Sequence, residues 1–230
     1  MKRQEAILRE LNLYPLWQRR AVPAPETMAE QAPHPVAAEI TARQNMADLD
    51  WPDLKTRVKN CTACKLRAGC TQTVFGVGDE KADWLFVGEG PGADEDAQDE
   101  PFVGQAGKLL DSMLAAIKLK RGNNVYIANI VKCRPPANRT PEADEIAQCL
   151  PYLERQIKLI QPKVIVALGK AAATALLGRD ATLASLRGKP HDYRGIPFII
   201  TYHPAYLLRA PLEKAKAWQD LCLAMNALCE

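Results

Sequence analysis

The chain has 230 residues, 47% of them hydrophobic and 25% charged, with a formal net charge of +3. This composition is typical of a soluble globular protein with one sizeable α/β core, and the net charge is too small to identify a nucleic-acid partner by itself. No apolar run is long enough to cross a bilayer and no secretory signal begins the sequence, which predicts a cytoplasmic protein without a membrane partner.

The first 48 residues differ in composition from the rest of the chain. In residues 1–20, leucines and Trp17 recur at helical spacing, which predicts an amphipathic helix that Pro15 breaks or kinks. Residues 21–48 carry prolines among many alanines and show no sustained apolar period, which is typical of a flexible linker. We therefore expect the globular domain at residues 49–230.

From residue 84 onward, strand patterns alternate with helical patterns. The strand patterns cover residues 84–87, 125–130, 164–168 and 197–201. The helical patterns cover residues 104–118, 142–160, 170–177 and 211–228. This alternation predicts a three-layer α/β/α sandwich around a central, mostly parallel four-stranded sheet.

Polar or glycine-rich positions follow three of these strands. Gly88-Glu89-Gly90-Pro91-Gly92 comes after the first strand, Asn129 closes the second and His203 follows the fourth. Ligands of open parallel sheets bind outside the carboxyl ends of the strands, so these positions should converge on one rim. The glycines allow a ligand to approach the backbone closely, although a simple turn is the alternative.

Three side chains near this rim suggest recognition of a base. The amide of Asn129 offers an acceptor beside a donor, and uracil offers the complement, whereas cytosine offers the reverse. His203 could stabilise negative charge on a leaving group, and Phe102 could stack on a base. Each residue also has a plainer alternative: an asparagine bonded to loop backbone, a structural histidine and a core phenylalanine.

Cysteines form the other conspicuous set. Cys61 and Cys64 are a Cys-x2-Cys pair, and Cys133 and Cys149 form a wider pair downstream. In a reducing compartment, such thiolates suggest a metal or an iron–sulfur centre rather than disulfides. A zinc site with four cysteine ligands is the alternative that spacing alone leaves open.

Taken together, these motifs resemble the family 4 uracil-DNA glycosylases, the iron–sulfur branch of the uracil-DNA glycosylase superfamily. The resemblance runs from about residue 60 to the end of the chain. It rests on Cys61-x2-Cys64, the segment from Gly88 to Asp96, Glu100-Pro101-Phe102-Val103-Gly104, Asn129-x3-Cys133-Arg134-Pro135, Cys149 and Tyr202-His203-Pro204-Ala205.

The resemblance implies a uracil-DNA glycosylase-like fold and a structural [4Fe–4S] cluster held by Cys61, Cys64, Cys133 and Cys149. It also implies hydrolysis of the bond between uracil and deoxyribose after the nucleotide is flipped out of single- or double-stranded DNA, as the first step of base excision repair.

The resemblance further implies a role for each site residue. Phe102 would stack on the base, Asn129 would recognise its edge and His203 would stabilise the departing anion. Backbone at Glu89 and Gly90 would hold the uracil and the attacking water. Glu95 would position that water or exclude the methyl group of thymine, and these two roles stay open. Gly90 stands where family 1 enzymes have an aspartate.

The segment after the histidine resembles the minor-groove loop of the superfamily. An apolar side chain there would enter the stack left by the flipped base, and the arginine would contact a phosphate. The DNA-binding residues predicted on this basis are Tyr206, Leu207, Leu208 and Arg209. An inward-packed helical turn is the alternative.

A departure from a neighbouring group favours turnover over covalent capture. Uracil-crosslinking relatives carry an inserted basic loop that ends in a nucleophilic histidine, whereas this chain has only Leu186-Arg187-Gly188-Lys189-Pro190-His191. A non-catalytic or crosslinking uracil-DNA binding protein is the alternative function.

The N-terminal arm lies outside this resemblance. Residues 8–20 are loosely similar to the docking peptide of the psi subunit of the bacterial clamp loader, so the arm could bind a replication or repair protein. A helix that packs on its own domain is the more common fate of an apolar stripe. We expect a monomer associated with the nucleoid.

Overall fold

A computed structural model gives the fold. It describes Glu10, Met46 and residues 48–228. The chain divides into two units, Met1–Glu39 and Ile40–Glu230, and all described residues except Glu10 lie in the second. The helix predicted for residues 1–20 and nearly all of the predicted linker lie outside the described residues.

Six strands form one mixed sheet. They are β1 (Val77–Gly78), β2 (Trp84–Gly88), β3 (Val125–Asn129), β4 (Val164–Leu168), β5 (His191–Tyr193) and β6 (Ile196–Thr201), in the order β1-β3-β2-β4-β6-β5. The four central strands are parallel, and the edge strands β1 and β5 pair antiparallel. The predicted parallel core is confirmed, and the structure adds two short edge strands.

Helices cover both faces of the sheet. In the described part of the chain they are α1 (Trp51–Lys59), α2 (Ala93–Gln98), α3 (Gln105–Ala116), α4 (Ala143–Ile160), α5 (Lys170–Leu177), α6 (Leu183–Leu186), α7 (Pro204–Arg209) and α8 (Lys214–Asn226). Short 3₁₀ turns occur at Lys65–Gly69, Pro136–Asn138 and Pro211–Glu213. Among the described residues, no helix has the length and apolar character needed to span a membrane.

The core consists of two apolar layers, one on each face of the sheet. Alternate residues of a strand point to opposite faces, so Leu85 and Val87 pack with α1, α4 and α5. Trp84 and Phe86 pack on the other side with α3 and α8. Because the central strands are buried on both faces, they consist of continuous apolar runs. The three-layer sandwich predicted from the sequence is confirmed.

The register of the central strands brings their carboxyl ends to one rim. Gly88, the last residue of β2, pairs with Asn129, the last residue of β3. Likewise, Leu168 of β4 pairs with Thr201 of β6. The loop after Gly88 and the histidine two residues beyond Thr201 therefore emerge on the same side of the sheet.

Candidate active site and cysteine centre

A cleft of about 540 Å³ opens at this rim. Its walls contain eight residues predicted from the sequence: Glu89, Gly90, Glu95, Phe102, Asn129, His203, Tyr206 and Arg209. They come from the segment after β2 and helix α2, the loop before α3, the end of β3, and helix α7 with its N-cap. The parallel sheet brings these segments together.

The side-chain amide of Asn129 has a buried oxygen atom that is free to accept a hydrogen bond from a ligand. The residue is only 2% exposed, and its Oδ1 has no hydrogen-bond partner among the described residues. A buried polar atom without a partner costs about 1–3 kcal/mol, so a free acceptor in a cleft wall indicates a binding position. Gly88 makes room for it, because a Cβ at Gly88 would lie 2.4 Å from that oxygen.

Phe102 is held in an uncommon backbone conformation beside the amide. Its φ is 57° and its side chain is 5% exposed. Gly107 allows α3 to approach, since a Cβ there would lie 1.7 Å from the carbonyl oxygen of Phe102. The Phe102 ring centroid lies 5.5 Å from that of His203, with 31° between the planes. The ring therefore belongs both to the core and to the cleft wall.

His203 is fixed in one tautomer. It caps the start of α7, and its Nδ1 accepts a hydrogen bond from the N–H of Ala205 at 3.2 Å. An accepting Nδ1 carries no proton, so the proton of the neutral ring is on Nε2. Burial, helped by the nearby charge of Arg209, lowers the pKa of His203 to about 4. At neutral pH the residue is thus an uncharged N–H donor.

Glu95 ties two loops of the cleft together. Its Oε2 accepts from the N–H of Gly92 at 3.0 Å. Its Oε1 accepts from the N–H groups of Val103 and Gly104 at 3.0 and 3.1 Å. Three backbone donors therefore fix this carboxylate. The carboxylate in turn connects the glycine-rich loop to the loop that contains Phe102.

Glu89 contributes a partly buried carboxyl group. Burial raises its pKa above the ordinary value, and a hydrogen bond from the Thr140 hydroxyl opposes that shift. The backbone carbonyl of Glu89 accepts from the N–H of Val131 at 3.3 Å. At Gly90, a Cβ would lie 2.8 Å from Cγ2 of Val131, so the site has little room for a larger residue.

The predicted DNA-contacting segment is only partly at the surface. Tyr206 and Leu208 are 39% and 44% exposed, and Arg209 is exposed as well. Leu207 is only 1% exposed, because this position of α7 faces the protein interior. The side chains that remain accessible to DNA in this segment are those of Tyr206, Leu208 and Arg209.

The four predicted cysteine ligands line one small cavity. Cys61 and Cys64 follow α1, Cys133 lies beyond β3, and Cys149 is on α4. The N–H of Lys132 donates to Sγ of Cys149 at 3.1 Å, and burial raises the pKa of Cys149 to about 12. Four sulfur donors around one cavity are the donor set of an iron–sulfur centre or a zinc site. Among the described residues, however, no group of three or more His, Cys, Asp or Glu side chains is arranged to hold a metal ion.

Comparison with known proteins is consistent with this geometry. Residues 75–222 match the family described as the uracil DNA glycosylase superfamily. The chain belongs to the uracil-DNA glycosylase superfamily.

Similar curated proteins are named type-4 uracil-DNA glycosylases. The protein of Thermotoga maritima is 48% identical over 66% of this chain and 80% of its own length. The protein of Archaeoglobus fulgidus is 44% identical over 72% of this chain and 86% of its own. That of Pyrobaculum aerophilum is 42% identical over 76% and 93%. The family, the fold class and the enzyme class predicted from the sequence, a DNA glycosylase, are confirmed.

Sequence reasoning missed Arg121, which holds the Phe102 loop of this glycosylase in place. Its guanidinium donates to the carbonyl of Pro101 at 2.7 Å and to that of Phe102 at 2.8 Å. It also pairs with Asp111 at 3.0 Å and with Glu100 at 3.2 Å. No motif marks Arg121, because its partners lie 10 to 21 residues away in sequence.

A second omission is the segment after Cys133, which forms another wall of the glycosylase cleft. Pro135, Asn138, Arg139, Thr140 and Pro141 all line it. Ala137 and Asn138 have φ values of 52° and 55°, which give the segment a tight turn. Pro135 and Pro136, a few residues after the end of β3, were a usable signal for a loop at the rim.

Proposed function

We propose that the protein is a monofunctional glycosylase that removes uracil from single- and double-stranded DNA and leaves an abasic site for base excision repair. The observation that carries the proposal is the unpartnered Oδ1 of Asn129 in a cleft that also contains Phe102 and a neutral His203. A base must leave the duplex stack to reach such a cleft.

Uracil fits the polar groups of the cleft in one orientation. Oδ1 of Asn129 accepts from N3–H, and the amide nitrogen donates to O4. Cytosine would set an acceptor against Oδ1 and a donor against the amide nitrogen, so it would leave buried groups unpaired. The Phe102 ring supplies the stacking face, which is worth about 1–3 kcal/mol per base in comparable sites.

His203 stabilises the leaving group as a hydrogen-bond donor. As the glycosidic bond breaks, negative charge develops on the uracil and in particular on O2. The Nε2–H group of His203 donates to that oxygen while the ring stays neutral. Loss of one such donor typically costs about 10²–10³ in rate.

The glycine-rich loop positions the water that attacks the sugar. The partly buried Glu89 carboxylate and the backbone at Gly90 line the side of the cleft where that water would lie. Because Glu95 is bonded to three backbone N–H groups, we assign it to holding the loops in place rather than to proton transfer.

DNA is held by helix α7. Leu208 is the apolar side chain that enters the stack, Arg209 contacts a phosphate and Tyr206 lines the entrance. The ring of Tyr206 stacks on that of Tyr202 at 5.1 Å between centroids, which fixes its orientation.

Cys61, Cys64, Cys133 and Cys149 would hold the [4Fe–4S] cluster. When bound, the cluster supplies a structural cross-link, with no redox step in the reaction. The four residues join the segment after α1, the segment after β3 and helix α4, so they stabilise the loop that begins at Asn129.

The proposed catalytic domain is residues 49–230, and it acts as a monomer in the cytoplasm. The arm of residues 1–20 is available to bind a replication or repair protein.

The crosslinking alternative requires a nucleophilic histidine in the cleft. His191 belongs to the edge strand β5, and its ring hydrogen-bonds the carbonyl of Leu186 at 2.6 Å. His191 is not among the residues that line the cleft.

Excision from a labelled oligonucleotide with one uracil tests the proposal, with a matched thymine strand as control. We expect strand cleavage only after alkali, because a monofunctional glycosylase leaves an intact abasic strand. A protein–DNA band that survives denaturation would support the crosslinking alternative. Binding of the oligonucleotide without any product would indicate a non-catalytic protein that recognises uracil in DNA.

A further inference from the structure

Lys132 is a buried charged residue between the base-recognition site and the cysteine centre. It is 1% exposed and lies three residues after Asn129 and directly before Cys133. A buried ammonium group is costly unless it is fully hydrogen-bonded. Its contacts therefore indicate what it contributes.

The ammonium group of Lys132 bonds the main chain of Asn129 itself. Nζ donates to the carbonyl oxygen of Asn129 at 3.0 Å and to Oε1 of Gln156 at 2.6 Å. It also lies 6.0 Å from the centroid of the Phe75 ring. Asn129 is the last residue of β3, so this bond holds the backbone at the point where strand pairing ends.

The partner of this ammonium group is itself fixed. Nε2 of Gln156 donates to the carbonyl of Phe75 at 3.0 Å and to the Tyr126 hydroxyl at 3.4 Å. The backbone of Lys132 is held too, because its N–H donates to Sγ of Cys149 and its carbonyl accepts from Val74 at 2.7 Å. The short segment from Asn129 to Lys132 is thus anchored on several sides.

We propose that Lys132 is a positioning residue for base recognition: its ammonium group fixes the Asn129 backbone so that the unpartnered side-chain amide meets uracil at the right angle. The inference rests on the proposed function, in which Asn129 recognises uracil. The backbone N–H of Lys132 also donates to Sγ of Cys149, so the same residue connects Asn129 to helix α4 of the cysteine centre.

Binding of free uracil by the purified, cluster-containing protein tests this role apart from chemistry. In Lys132→Met, an apolar side chain of similar length replaces the ammonium group. We expect uracil affinity to fall about ten- to a hundredfold, the range for loss of a hydrogen bond from a charged donor. We also expect the visible absorbance to match that of the wild type, and the Tm to fall, because the carbonyl of Asn129 and Oε1 of Gln156 lose a buried donor.

Tyr126→Phe is the matched control. It alters the same buried polar cluster, since it removes the hydroxyl that accepts from Gln156, but it contacts neither Lys132 nor Asn129 through a hydrogen bond. We expect uracil affinity close to that of the wild type, because the bonds from Nζ of Lys132 to Asn129 and Gln156 are kept. An equal loss in Tyr126→Phe would mean that general loosening of the core is the cause, which would overturn the inference.

The remaining outcomes separate the inference from the proposed function. Wild-type uracil affinity in a folded Lys132→Met protein would overturn the inference alone, provided that Asn129→Ala binds uracil weakly. Wild-type affinity in Asn129→Ala would instead overturn the proposed function. If Lys132→Met fails to fold, Gln156→Met decides: weaker uracil binding supports the positioning role, and unchanged binding refutes it.

Discussion

Gly88 and Asn129 are paired in register on neighbouring parallel strands, and a Cβ on Gly88 would lie 2.4 Å from the amide oxygen of Asn129. The same Cβ would lie 2.5 Å from Cζ of Phe102. The absence of a side chain at Gly88 thus lets the Asn129 amide and the Phe102 ring share the end of the sheet.

Gly88→Ala should therefore disable the site without a change at any reacting group. The methyl group would displace Asn129 or Phe102, and a misplacement of about 1 Å costs about 10² in rate. Single-turnover excision of uracil measures the effect. Gly69→Ala is the control, because a Cβ there meets nothing within 4 Å, so its rate should equal that of the wild type. Wild-type excision by Gly88→Ala would contradict the proposed positions of both residues.

The pH dependence of excision should lack a step at the ordinary pKa of histidine. Since the pKa of His203 is lowered to about 4, the ring stays a neutral donor throughout the range from pH 5 to 8. The burial-raised pKa of Glu89 should set the acid limb of kcat/KM, with activity falling as pH drops through it and the carboxylate becomes protonated. Glu89→Gln should remove this limb. A limb near pH 6.5 that persists in Glu89→Gln would contradict the assignment.

Stability should respond to pH through the same histidine. In the unfolded chain His203 gains a proton near its ordinary pKa of 6.5, whereas in the folded protein it stays neutral down to about 4. Its protonation therefore favours unfolding, and its contribution to stability is lost as pH falls from about 6.5 towards 4. His203→Ala should weaken the acid dependence of the Tm over that window.

Adjacent leucines should behave differently when truncated. Leu207→Ala creates a cavity in the interior and should lower the free energy of unfolding by about 2–5 kcal/mol, with little effect specific to the DNA substrate. Leu208→Ala should leave stability within about 0.5 kcal/mol and slow excision from duplex DNA more than from single strands, because only the duplex needs its stack filled. Denaturant unfolding and excision on the two substrates distinguish them. The opposite pattern would return the inserting role to Leu207.

Arg121→Lys should impair excision although the charge is kept. A single ammonium group cannot reproduce the fork that holds the carbonyls of Pro101 and Phe102 together with Asp111. We expect a higher KM and a rate reduced by about tenfold or more, since the Phe102 ring loses its fixed position. Arg194→Lys is the control, because Arg194 pairs with Glu154 at the surface and lies over the Tyr193 ring, and it is not among the residues that line the cleft. Equal effects in both variants would argue against a role for Arg121.

Much of this architecture could be predicted because local pattern and burial coincide. Strands such as Val164–Leu168 are buried at every residue, so their apolar runs stand out in the sequence. Polar residues directly after such strands, as at Asn129, then mark the rim. The edge strands Val77–Gly78 and His191–Tyr193 are too short to carry a pattern, and only pairing with a neighbour defines them.

The rest depended on contacts that sequence spacing does not reveal. The partners of Arg121 lie 10 to 21 residues away, and Lys132 bonds Gln156 of α4 as well as the nearby Asn129. A charged residue inside the apolar run before Cys133 was a usable signal for Lys132. Leu207 and Leu208 are neighbours of the same residue type, so the sequence does not distinguish them. Only the orientation of the short helix α7 determines that Leu207 is the buried one.

The most direct test of the central claim is the ratio of uracil to cytosine excision by the wild type and by Asn129→Asp. The wild type should remove uracil alone. A carboxylate accepts hydrogen bonds from both N3–H of uracil and the N4 amino group of cytosine, so the variant should lose at least about tenfold of the discrimination. A variant that remains as selective and as active as the wild type would contradict recognition of the base by Asn129.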